Sequence, residues 1–113
     1  MSLAATSTNP SRAKWYHYLF AFLAGLFLIN IVPHFVNGVS GRPFPTPFSD
    51  PPGIGMSSPM LNVVWALINF VLGTLFLYLA KTSNHKWAWI AVFVGGTLMA
   101  FNLASHFGTV FNQ

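Results

Sequence analysis

The side chains able to do chemistry in this 113-residue chain are few, and they recur in register. His34 and His106 each stand 19 residues after a tryptophan, Trp15 and Trp87, and an asparagine, Asn30 or Asn102, precedes each by four residues. Residues 14–35 and 86–107 thus align without a gap at an offset of 72, sharing Lys14-Trp15 with Lys86-Trp87 and His34-Phe35 with His106-Phe107. Apolar segments match one another easily by chance, whereas Lys, Asn and His are scarce here, so the coincidence points to a quasi-repeated helix. Nineteen residues of helix rise about 28 Å, which puts both imidazoles at one depth, with each Asn one turn away on the same face. Neutral imidazoles on parallel helices suit axial ligation of a metal or haem, the neighbouring Asn orienting the second ring nitrogen. They equally suit hydrogen-bonded glue between helices, or the lining of a polar path or small-molecule pocket. Asn62 and Asn69 lie on the intervening apolar stretch and extend the polar set, Asn62 near the same layer and Asn69 about two turns deeper.

These groups need elements to hold them, and the composition names the solvent. Only five Lys or Arg and one acidic residue, Asp50, accompany 54% hydrophobic content, far below the charge of a soluble domain. Three stretches, about 15–35, 60–79 and 87–107, contain no Lys, Arg, Asp or Glu and are each long enough to cross roughly 30 Å of hydrocarbon as helix. The expected fold is all-α, a single domain with three transmembrane helices. The first span is too long for the core of a signal peptide and is expected to remain as an anchor. The few positive charges flank hydrophobic segments, so they orient the chain in a bilayer and exclude nucleic acid as a partner.

Arg12, Lys14, Lys81 and Lys86 bracket one end of the spans, against Arg42 at the other. This asymmetry places the N-terminus inside and the C-terminus outside, with Trp15, Tyr16, Tyr18, Tyr78, Trp87 and Trp89 as an aromatic belt at the inner interface. Residues 1–13 read as a flexible cytoplasmic tail, small and polar in composition. The outer loop, 36–59, carries Pro43, Pro45, Pro47, Pro51, Pro52 and Pro59, which forbid a regular helix and predict a semi-rigid lid on an extended path. His17 and His85 fall at the inner interface, where solvation is the expected state. Gly96, Ala100, Ala104 and Gly108 recur every four residues in the third span, and Ala91 with Gly95 continues a neighbouring ridge; such small faces let another helix approach closely.

The run Pro33-His34-Phe35-Val36-Asn37-Gly38, followed by Pro43-Phe44-Pro45-Thr46-Pro47-Phe48, resembles a pattern in small uncharacterised bacterial multi-pass membrane proteins. The resemblance covers about residues 33–59 and implies a bacterial inner-membrane location, with no activity or functional residue to carry over.

Catalysis is disfavoured by composition. No span holds a carboxylate for acid-base or proton-coupling work, and Ser105 and His106, adjacent on a helix, point about 100° apart and so form no nucleophile-base pair. With no cysteine there is no thiolate chemistry and no disulfide. The expectation is a protein that is not an enzyme, embedded in the lipid bilayer as a homo-oligomeric or accessory subunit of a membrane assembly. Two alternatives stay open: a haem- or metal-binding redox protein using His34 and His106, and a small channel or transporter. The orientation is directly testable: a reporter fused after Gln113 should be active on the outer face only, and cytoplasmic activity of that fusion would reverse every depth assigned above.

Overall fold

The computed structural model describes residues 12–112. Three helices account for most of them: α1 (Trp15–Val39), α2 (Pro59–Ala80) and α3 (Ala88–Phe111). Each is long and apolar enough to cross a bilayer, and no strand occurs among the described residues. Residues 1–11, most of the expected tail, lie outside the described residues.

Local chemistry sets the helix ends. At the start of α1 the His17 Nδ1 accepts the backbone N–H of Lys14 at 2.9 Å, which caps the first turn. Pro33 lies inside α1 without ending it, because a proline removes one backbone donor while its own carbonyl still accepts, here from Asn37 Nδ2 at 2.7 Å. The helix therefore runs four residues past the expected boundary at Phe35. This extra turn carries Gly38 against Val63 and the Pro59 carbonyl of α2, where any side chain on Gly38 would collide. Ser58 caps α2, its hydroxyl accepting from Leu61 N–H at 3.1 Å, with Pro59 in the first turn where a missing N–H costs nothing. Lys81 ends α2 in the left-handed conformation, φ 52°.

α1 is the middle helix. α2 and α3 each pack along it and meet one another only marginally. Small residues make both approaches possible: Gly73 of α2 receives Leu28, while Gly25 of α1 and Gly95 and Gly96 of α3 sit against the Val92 carbonyl, the Phe22 carbonyl and Ile29. Phe76 of α2 stacks between Phe20 and Phe27 of α1. The tight α1–α3 crossing uses only part of the expected small-residue ridge. Ala100 and Ala104 are exposed, and nothing comes near Gly108, because α3 leaves α1 beyond Gly96.

The interior inverts that of a water-soluble protein. Buried apolar residues are mostly alanines, Ala21, Ala24, Ala66, Ala80 and Ala88, and the largest fully buried side chains are Asn62, Asn69, Thr46 and Pro45. Large apolar groups such as Phe70, Val71, Phe93 and Phe101 face outward. In lipid this is the stable arrangement, since hydrocarbon solvates Phe as well as a core does and cannot satisfy an amide.

At the basic end the expectation of solvated histidines is overturned. His17 and His85 are 4% and 6% exposed, with ring centroids 4.6 Å apart. The short turn over 81–87 exposes Lys81, Ser83, Asn84 and Lys86 and turns His85 inward beneath it, its Nδ1 on the Ala80 carbonyl at 3.4 Å. Helix contact through glycine rather than through bulk yields a mutational signature. Gly95→Leu should lower thermal stability by roughly 1–3 kcal/mol through overpacking against the Phe22 backbone. Phe93→Leu on the exposed face should stay within about 0.5 kcal/mol, and equal melting temperatures for the two variants would refute the crossing.

Candidate functional site

His34, His106 and Asn62, with Asn30 one turn deeper, gather where the 40–58 loop covers the helix ends, and Asn102 does not join them. The loop is held shut by its own bonds. Phe44 and Ser57 pair in an isolated antiparallel bridge, each donating its N–H to the other's carbonyl at 3.1 Å, and the hydroxyls of Thr46 and Ser57 meet at 2.6 Å. Ser49 donates from Oγ to the Thr46 carbonyl at 2.6 Å. Phe44 turns inward and is buried, whereas Phe48 is exposed and meets Trp65 of α2 edge-on. The prolines thus yield turns and a bridge rather than one extended path.

Asn62 joins this loop to the helices. Its Nδ2 donates to the carbonyls of Phe44 at 2.8 Å, Ser58 at 3.0 Å and Ser57 at 3.3 Å, and its Oδ1 lies 2.8 Å from His34 Nδ1. Three carbonyl partners fix the amide's orientation, because a carbonyl only accepts. Asn62 Oδ1 is therefore the acceptor, and His34 Nδ1 carries the proton. In a neutral ring this leaves Nε2 of His34 as a lone pair, with no protein partner among the described residues. One layer deeper, Asn30 Nδ2 donates to Asn69 Oδ1 at 3.0 Å, and Asn69 Nδ2 donates to the Trp65 carbonyl of its own helix at 2.8 Å. Two cross-helix polar contacts, one turn apart along α1 and two turns apart along α2, tie the helices together.

The repeat partners behave differently. His106 is exposed on α3, and its Nε2 donates to the Gly53 carbonyl at 2.7 Å, pinning the loop to the third helix. Gly53 has φ +72°, a conformation open to glycine that turns its carbonyl to this position. Asn102 joins no network. It is exposed, and its nearest partner is the Met99 sulfur at 4.0 Å.

Between α1, α2, α3 and the loop lies a crevice of about 310 Å³, lined by Asn30, His34, Trp65, His106 and Phe107 among others. His34 and His106 thus share one cavity, as their common depth implied. His34 is 3% exposed, ringed edge-on by Phe44, Trp65 and Phe107. No third His, Asp or Glu joins the two imidazoles in a metal-sized group among the described residues. Sequence reasoning missed Trp65, Thr46 and Ser57. The hydroxyls are 11 residues apart in an aperiodic loop, so no pattern in the chain announces that they meet.

Comparison with protein-family models, with curated proteins and with solved structures finds no match. The functional reading rests on the residues themselves. Asn62→Ala should cost on the order of 3 kcal/mol, because it leaves the buried ring N–H of His34 without an acceptor and removes the side-chain donor shared by the Phe44, Ser57 and Ser58 carbonyls. Combining it with His34→Ala should cost clearly less than the sum of the two single changes. His106→Ala, exposed and singly bonded, should cost about 1 kcal/mol or less while loosening residues 50–55 to proteolysis. Additive effects of Asn62→Ala and His34→Ala in denaturation would show that no shared network exists.

Proposed function

We propose that this chain is a small, non-enzymatic integral membrane component that works as a homo-oligomer, its copies meeting along α3. The observation that carries the reading is Asn102. About 14 Å of helix separates it from the end of α3 at Phe111, which puts the residue inside the hydrocarbon layer. It is exposed there, and among the described residues its one partner is the Met99 thioether. An amide left against lipid costs free energy that a partner helix recovers.

The surroundings of Asn102 fit a helix seam. Leu98, Asn102, Ser105 and Thr109 are all exposed and spaced four, three and four residues apart, the spacing of a packed helix-helix face. Ser105 and Thr109 keep the approach close, and Thr109 satisfies its hydroxyl on the Ser105 carbonyl at 3.1 Å. An asparagine carries both donor and acceptor, so two copies related by a twofold axis can bond Asn102 to Asn102 reciprocally. A second copy is therefore the partner this face fits best. A single copy, with α2 and α3 on either side of α1, offers no central lumen between three mutually packed helices, which favours an assembly role over conduction by one chain. A bacterial inner-membrane location accompanies this reading on the sequence resemblance alone.

The absence of native cysteine makes the test clean. Ser105→Cys in membranes should form a disulfide-linked dimer on mild oxidation, and Val71→Cys, on the exposed face of α2, should not. Adding Asn102→Leu to Ser105→Cys should lower the linked fraction several-fold, since an interhelical amide bond in a membrane contributes roughly 0.6–2 kcal/mol. Linkage at both positions alike, or at neither, would sink the proposal.

A further inference from the structure

The crevice beneath the loop has a hydrogen-bonding character that its apolar walls do not suggest. Asn30 gives one N–H of its Nδ2 to Asn69 Oδ1, which leaves its own Oδ1 as an acceptor beside its second N–H. His106 donates through Nε2 to the Gly53 carbonyl, so in the neutral ring its Nδ1 keeps a lone pair. His34 donates through Nδ1 to Asn62, which leaves the Nε2 lone pair directed away from Asn62. Among the described residues that nitrogen has no partner, and the sealed, partnerless nitrogens are instead Nε1 of Trp65 and Nε2 of His85. Among the described residues the two imidazole lone pairs and the Asn30 oxygen thus outnumber the one remaining donor, the second N–H of Asn30. The nearby indole N–H of Trp65 is walled off and offers nothing to an occupant.

Charge and size narrow the class. The lining holds no Asp, Glu, Lys or Arg, so an ion would enter without a counter-charge and at high desolvation cost. A cavity of about 150 Å³ is enough for benzene, so a crevice of about 310 Å³ takes a substituted single ring or a two-ring head. Trp65, Phe107 and the His34 ring supply aromatic surfaces for a planar group. Lipid acyl chains can fill such a space with carbon but bring no donor to His34.

We propose that this crevice is a binding site for the head of a neutral phenolic amphiphile, a hydroquinone or similar phenol, whose hydroxyl donates to Nε2 of His34 while its ring lies among Trp65 and Phe107. The donor-acceptor inventory makes a sharp distinction. A hydroquinone has hydroxyls to give, whereas the corresponding quinone has only carbonyl acceptors and would face the lone pairs of His34 and His106. The site selects the reduced form over the oxidised form of one and the same ring. No redox step is required for this preference. It stands whether or not copies of the chain pair through α3.

The experiment is equilibrium binding to the purified full chain in lipid nanodiscs under anaerobic conditions, with tetramethylhydroquinone and tetramethylbenzoquinone as probes and thermal shift and calorimetry as readouts. The hydroquinone should bind saturably, roughly tenfold or more tighter than the quinone, the weight of one well-made hydrogen bond. Leu103→Trp fills the crevice while leaving Asn62, His34 and Asn69 untouched; it should abolish binding and keep the melting temperature. His34→Leu should remove the preference for the reduced form, and the nitrogen resonance of His34 Nε2 should move on titration in the wild-type chain. Equal affinity for the two probes, absence of saturable binding, or binding unaffected by Leu103→Trp would each overturn the proposal. So would purification of the chain with a stoichiometric metal or a haem absorption band lost on His34→Leu, because the Nε2 lone pair would then belong to that metal.

Discussion

The loop end of this protein depends on the side-chain amide of Asn62. Its NH₂ group serves three backbone carbonyls at the loop and at the cap of α2, and its oxygen receives the ring N–H of His34 on α1. A single fully buried residue thus joins two helices and a loop. No apolar residue could substitute, because the ring N–H of His34 would be left without its acceptor in a layer where water is scarce, and the Phe44, Ser57 and Ser58 carbonyls would keep only their backbone donors. The chain of consequence is short: Asn62 orients His34, the paired loop folds over both, and the crevice takes its shape from the loop's underside.

The same constraint explains why the interior is built from small and polar residues while the aromatic mass faces outward. Between helices in lipid, burial of Phe brings little gain over leaving it in hydrocarbon, so close backbone approach and hydrogen bonds hold the fold. Gly25, Gly73, Gly95 and Gly96 give the approach, and the pairs Asn30–Asn69 and His34–Asn62 give the bonds. α1 contacts both other helices and carries residues for both kinds of contact.

That central position also breaks the symmetry of the repeat. Asn30 and His34 on the middle helix find buried partners on α2. Asn102 and His106, at matching places on the outer helix α3, find among the described residues respectively only the Met99 sulfur and a loop carbonyl. Like residues at like depth therefore acquire unlike roles. The inner pair builds the crevice, and the outer pair supplies a latch to the loop and an unsatisfied amide on the exposed face.

The sequence by itself determined the number of spans, their approximate limits and the depth of every polar group within them. These follow from local quantities, the absence of charge over helix-length windows and the fixed rise of a helix, and need no knowledge of neighbours. It also implied that His34 and His106 would share one layer, which a common distance from Trp15 and Trp87 dictates. Only the tertiary structure decided which helix stands in the middle, that His34 takes Asn62 as its partner, that His85 folds beneath the short turn against His17, and that Asn102 is left out. Depth along a helix is a property of one chain segment. Partnership depends on how the segments rotate and cross, and the glycines and alanines that permit several close crossings carry no mark of which one the whole chain adopts.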